Sequence, residues 1–241
     1  MVVGLETFRK YFEGYYGDYV VIGGVACELA LKSLGLDFRG TRDFDIVIVS
    51  ETIARGFGIK LKQFIREGGY SVQPRKSNGK LTFFRFLNPK NDAFPSQLEF
   101  ATEKPFDDWE GDFAPLDAGD AHSSLSAILF DPDFYHFILD NASISNGISV
   151  IRLEGLIPLK CLAFLKLSRM DNPSPKITAN IEKHRQDIFR LAEALPAGVF
   201  PLPEKVATAT SEALNLIAER PADEKNEADV LIMLRQFYGL L

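Results

Sequence analysis

Asp43 and Asp45 flank Phe44 just where a continuous apolar run, residues 45–49, begins. In a strand, side chains two apart project to the same face, with Cα atoms ~6–7 Å apart. The two carboxylates then stand together while Phe44 packs on the opposite side. Paired carboxylates at a strand edge suit one or two Mg2+ ions, with Mn2+ as a substitute. Such ions take hard oxygen ligands and keep positions open for phosphate oxygens. Upstream, another apolar run ends at Gly23-Gly24. Two glycines after a strand allow a tight turn and a close approach to a ligand. A helix starting there points its free N–H groups into the turn, which suits a phosphate.

The elements that must hold these groups follow from hydrophobic periodicity. Residues 7–16 and 25–34 read as helices, 19–22 as a strand and 45–49 as a buried strand. Residues 52–67 form an amphipathic helix with Ile53, Phe57, Leu61, Phe64 and Ile65 on one face. Strands are expected at 70–73, 81–87 and 97–101, with Ser77-Asn78-Gly79 as a hairpin turn. Residues 103–126, rich in Asp, Gly and Pro, read as an extended loop or peripheral strand pair, and 134–139 and 148–153 as strands. Asp131-Pro132-Asp133 reads as a turn. Helices follow at 154–169, 177–194, 203–219 and 222–239, punctuated by Pro173, Pro175, Pro196 and Pro201. The expected organisation is α+β: a mixed sheet with flanking helices over 1–152, then a helical domain over 153–241.

The 241 residues are 46% hydrophobic and 25% charged, an ordinary globular balance, with no apolar run near the ~20 residues that span a bilayer. The N-terminus carries acidic residues and lacks a basic start, so a cytoplasmic protein without membrane association is expected. Cys27 and Cys161 lie in apolar stretches and read as buried thiols. A net charge of -6 argues against nonspecific nucleic-acid binding but leaves room for a local basic groove. Its candidates are Arg39/Arg42, Arg75-Lys76-Lys80-Arg85 and Lys183-His184-Arg185. The histidines at 122, 136 and 184 show no metal-binding spacing. Neither a G-x-S-x-G elbow nor a Walker-type loop is present.

Residues 20–50 resemble the nucleotidyltransferase superfamily related to DNA polymerase β, whose signature is strand, G-G or G-S turn, helix, then D-h-D/E on the next strand. The AbiEii/AbiGii-type branch is the more similar one. Its pattern of Gly-Gly, a small residue and alanine, then R-x-T-x-D-h-D, is matched by Gly23-Gly24-Val25-Ala26 and Arg39-Gly40-Thr41-Arg42-Asp43-Phe44-Asp45. Gly24 stands where better-known transferases often carry serine. The resemblance implies a nucleotidyltransferase-like sheet, Mg2+ on Asp43 and Asp45, and nucleotide contacts from Gly23, Gly24, Arg39 and Thr41. It also implies a third carboxylate on a neighbouring strand, for which Glu99 in Gln97-Leu98-Glu99-Phe100 is the candidate, as metal ligand or near the attacking hydroxyl. Arg85 is a further candidate for holding phosphate.

In the second half, Lys160 sits in a run that is hydrophobic nearly all round, so it must find an anion or snorkel to the surface. The run is similar to the family's lysine helix, which implies that Lys160 meets the phosphates. Residues 183–191 resemble the family's D-h-x-x-L segment, implying that Asp187 orients Lys160 or a basic side chain. Residues 169–177 are longer than the family's usual connection.

The expected activity is metal-dependent transfer of an NMP from an NTP to an acceptor hydroxyl, with pyrophosphate released. The family implies an RNA or tRNA end, or a protein, as acceptor, and a toxin or phage-defence role with an antitoxin as partner. The alternatives are a small-molecule, antibiotic-type acceptor, or an inactive nucleotide- or partner-binding module.

Overall fold

Short apolar runs become strands, and seven of them form one mixed sheet in the computed structural model, which describes residues 2–49, 55–72, 82–102, 132–220 and 226–240. In chain order the described elements are α1 (Leu5–Tyr11), β1 (Tyr19–Ile22), α2 (Gly23–Ser33), β2 (Asp43–Ile48), α3 (Arg55–Gly68), β3 (Ser71–Val72), β4 (Thr82–Leu87) and β5 (Gln97–Thr102). They continue with α4 (Pro132–Asp140), β6 (Ala142–Ser145), β7 (Ile148–Ile151), α5 (Leu153–Ser168), α6 (Pro175–Ala192), α7 (Glu204–Ala218) and α8 (Glu227–Phe237). The strand order is β3-β4-β5-β2-β1-β7-β6. The β2–β5 and β1–β7 pairs are parallel and the other pairs antiparallel. The fold is α+β, as the sequence implies.

The central strands β1 and β2 are buried on both faces, and the alternation along β2 shows how. Phe44, Ile46 and Ile48 point into a core with Phe8 of α1, Phe12 that caps it, and Phe57, Leu61 and Phe64 of α3. Some rings meet edge-on, as Phe8 with Tyr19 at 5.4 Å and Phe8 with Phe64 at 5.8 Å, an arrangement that ring quadrupoles favour, and others are tilted, as Phe8 with Phe12 and Phe44. Val47 points the other way, into a larger core with Ile22, Ala101 and apolar residues of α4 to α8. On that second face the apolar positions stop at Val47 in β2 and Ala101 in β5. The same-face residues before them are Asp45 and Asp43, and Glu99 and Gln97. The cleft opens where this face turns polar.

Several sequence expectations are corrected or fall outside the described residues. Residues 134–139 are the helix α4, not a strand: Phe134, Tyr135, Phe137 and Ile138 are buried at helical spacing, and Pro132 occupies the first turn. Their aromatic and β-branched content mimics a strand. The strand of this region is β6, whose hairpin to β7 turns on Asn146-Gly147 at φ 50° and 73°, the positive pair that a tight hairpin needs. The turn at 77–79, the loop at 103–126 and residues 52–54 of the expected helix lie outside the described residues, as do Arg75, Lys76, Lys80 and Asp131. Both cysteines are buried and free. No helix among the described residues is long and apolar enough to cross a membrane.

α5 is buried nearly throughout and carries Pro158 in its interior. A proline there removes the hydrogen bond to the carbonyl four residues back, that of Glu154. The Tyr238 hydroxyl, just past α8, donates to this carbonyl at 2.8 Å.

Candidate functional site

β1 delivers the chain to Gly23, whose φ of +66° is the left-handed region that glycine occupies freely. A Cβ there would lie 2.0 Å from Asp45 Oδ2. The glycine thus serves the aspartate, letting the turn close against it. Ile22 pairs with Asp45 across β1 and β2, which sets this contact. A Cβ on Gly24 would lie 2.4 Å from Thr41 Oγ1. No side chain caps the N-terminus of α2.

Register then assembles the carboxylates. Asp45 pairs with Glu99 across β2 and β5, and Glu99 pairs with Arg85 across β5 and β4. Glu99 Oε1 accepts from Arg85 Nε at 2.8 Å and from Gln97 Nε2 at 2.8 Å. Burial, together with the charges of Glu99 and Asp43, raises the Asp45 pKa well above the usual carboxylate range.

The helices supply the facing wall. α5 and α6 pack side by side, and Lys160 Nζ donates to Asp187 Oδ2 at 2.7 Å. Arg39 grips the same carboxylate with two bonds of 2.7 Å, from Nε to Oδ1 and from Nη2 to Oδ2. Burial alone would raise the Asp187 pKa, but Lys160 and Arg39 outweigh it and bring it to about 2. Burial also works against the charge of Lys160, and Cys27 and Asp187 beside it more than restore it, so its pKa is raised. Arg190 donates from Nε and Nη2 to the Asp37 carbonyl at 3.0 and 2.7 Å. The segment before β2 is therefore clamped onto α6 at two points.

Gly24, Arg39, Thr41, Asp43, Asp45, Arg85, Glu99 and Lys160 all line one cleft of about 290 Å³. Gly23 lies beneath it against Asp45, and Asp187 lies beneath it holding Arg39 and Lys160. Of the described residues in the three basic stretches, Arg39, Arg85, Lys183 and His184 line this cleft. Ser174, Lys176, Asn180 and Gln97 also line it, and no motif in the sequence marks them as site residues. Lys176, Asn180 and Lys183 follow i, i+4, i+7 spacing, a polar helical stripe visible in the sequence. Residues 169–177 include the helix start itself: Ser174 Oγ accepts from Ile177 N at 3.4 Å, and Pro175 opens α6. Burial and the neighbouring Lys160 depress the His184 pKa to about 3, so it is neutral at physiological pH.

Asp43 and Asp45 fit a divalent cation: their charges crowd on one strand face, and a cation relieves the burden on Asp45. Among the described residues no group of three His, Cys, Asp or Glu side chains forms a ready metal-ligand set. Two carboxylates suffice for Mg2+ when phosphate oxygens and water complete its shell. The cleft joins an acidic strand wall to a cationic helical wall, which suits a metal-bound polyphosphate. No family model matches the chain, and no curated protein matches it in sequence.

Proposed function

We infer that the chain is a metal-dependent nucleotidyltransferase, built on a nucleotidyltransferase-like sheet, that moves an NMP from an NTP to an acceptor hydroxyl. One observation carries this reading: Gly24, Asp43, Asp45, Glu99 and Lys160, far apart in sequence, line a single cleft. When bound on Asp43 and Asp45, Mg2+ supplies charge neutralisation for the phosphates. The acceptor oxygen bonds to the α-phosphorus, the bond to the bridging oxygen breaks, and pyrophosphate leaves with that electron pair. Glu99, beside Asp45, is the carboxylate assigned to the acceptor proton, with Arg85 and Gln97 fixing its orientation. Catalysis rests on positioning and charge neutralisation. The acceptor by family resemblance is an RNA or tRNA end or a protein, in a cytoplasmic toxin countered by an antitoxin. The net charge of -6 favours the second reading, a small-molecule acceptor.

The test is a thermal-shift series with each of the four NTPs, with and without Mg2+. Wild type is expected to shift with at least one NTP only when Mg2+ is present, by mass action. Asp45→Asn is expected to lose that shift while melting at or above wild type without ligand, because the amide removes a crowded buried charge. A wild type that no NTP shifts at millimolar concentration would favour the inactive binding module.

A further inference from the structure

Three cations expected to meet phosphate are already committed to carboxylates. Arg39 and Lys160 share Asp187, and Arg85 holds Glu99. The other lysines of the cleft, Lys176 and Lys183, make no ion pair among the described residues. Both lie on α6 with Asn180 between them, and all three face the cleft. Seven residues of helix separate the two lysines by about 10 Å along the axis, and two long side chains reach a short polyphosphate from either end. Lys183 is half-buried, and burial with the nearby charges of Arg39 and Lys160 lowers its pKa. An anion in the cleft relieves that burden. Across the cleft, Asp43 and Asp45 repel an anion that brings no metal, so the cationic stripe is the side on which phosphate oxygens are stabilised directly.

We propose that the Lys176–Asn180–Lys183 stripe of α6 is a polyphosphate seat centred on Lys183, which in nucleotidyl transfer holds the pyrophosphate portion of the donor. The seat rests on the nucleotidyl-transfer reading for its natural ligand, while inorganic tripolyphosphate probes it without that assumption. Calorimetric titrations at fixed ionic strength compare tripolyphosphate, the four NTPs and the four NMPs on wild type, Lys183→Gln, Lys183→Arg and Lys176→Gln. Wild type is expected to bind tripolyphosphate, and Lys183→Gln to bind it and any bound NTP about tenfold more weakly. Lys183→Arg should retain most of the affinity, and Lys176→Gln, at an exposed position, should lose less than Lys183→Gln. Any NMP binding should be unchanged in all variants. Tripolyphosphate binding that is absent from wild type, or equal in Lys183→Gln and wild type, overturns the seat. So does an equal loss of NTP and NMP affinity. Wild type that binds tripolyphosphate in a Lys183-dependent way but no NTP supports the seat and overturns the transferase reading.

Discussion

Gly24 and Thr41 compete for one position, since a Cβ on the glycine would meet the threonine hydroxyl at 2.4 Å. A hydroxyl therefore stands beside the turn here, supplied by the segment before β2. On the nucleotidyl-transfer reading, Gly24→Ser alone is expected to push Thr41 aside and weaken nucleotide binding, and Thr41→Gly alone to weaken it by loss of the hydroxyl. Combined, they restore one hydroxyl in one space, so the double variant should bind better than the two single losses predict. The coupling expected from titration across this cycle is about 0.5–3 kcal/mol. Strictly additive losses would show that the two positions do not share the space. The glycine pair and the D-x-D were legible in the sequence because strand parity and turn chemistry are local. That Gly23 yields to Asp45, rather than only to a ligand, needs the register of β1 on β2.

At the scale of elements, α6 is the wall that sequence reading understated. In the sequence its start looks like a break in a long connection, whereas Ser174 caps the helix and Lys176 enters the cleft. Strand order was likewise not legible: Glu99 becomes Asp45's neighbour only because β5 pairs in parallel with β2. α6 also carries the clearest pH signature of the fold. His184 titrates near pH 3 in the folded chain, against about 6.5 when unfolded. Between those values the unfolded state binds the extra proton. This contribution to stability is therefore complete above about pH 6.5 and declines as pH falls toward 3, at up to about 1.4 kcal/mol per pH unit. Urea melts of wild type and His184→Gln at pH 4.5, 5.5 and 7 should show a shallower decline in the variant. Parallel declines would assign the acid sensitivity to other groups.

Across the whole molecule, the larger core runs without interruption from Ile22 and Val47 of the sheet to Leu234 and Phe237 of α8. Tyr238 adds a directed contact to this packing, donating to the Glu154 carbonyl that Pro158 leaves open. Tyr238→Phe keeps the ring and removes that donor, and should lower stability in urea by about 1–2 kcal/mol. An unchanged midpoint would mean that the carbonyl finds another donor. The same hydroxyl gives the helix of Lys160 a history. Synthesis proceeds from the N-terminus, so α5 is made with this carbonyl open and receives its donor only 84 residues later. At ordinary translation rates that is a delay of about 4 to 17 seconds. Through most of that interval the nascent chain holds Asp43, Asp45, Glu99 and Lys160, and later Asp187, while the Glu154 carbonyl is still without this donor. The helix behind the lysine therefore waits for Tyr238, and a ribosome stalled short of residue 238 would leave the Glu154 carbonyl without this donor.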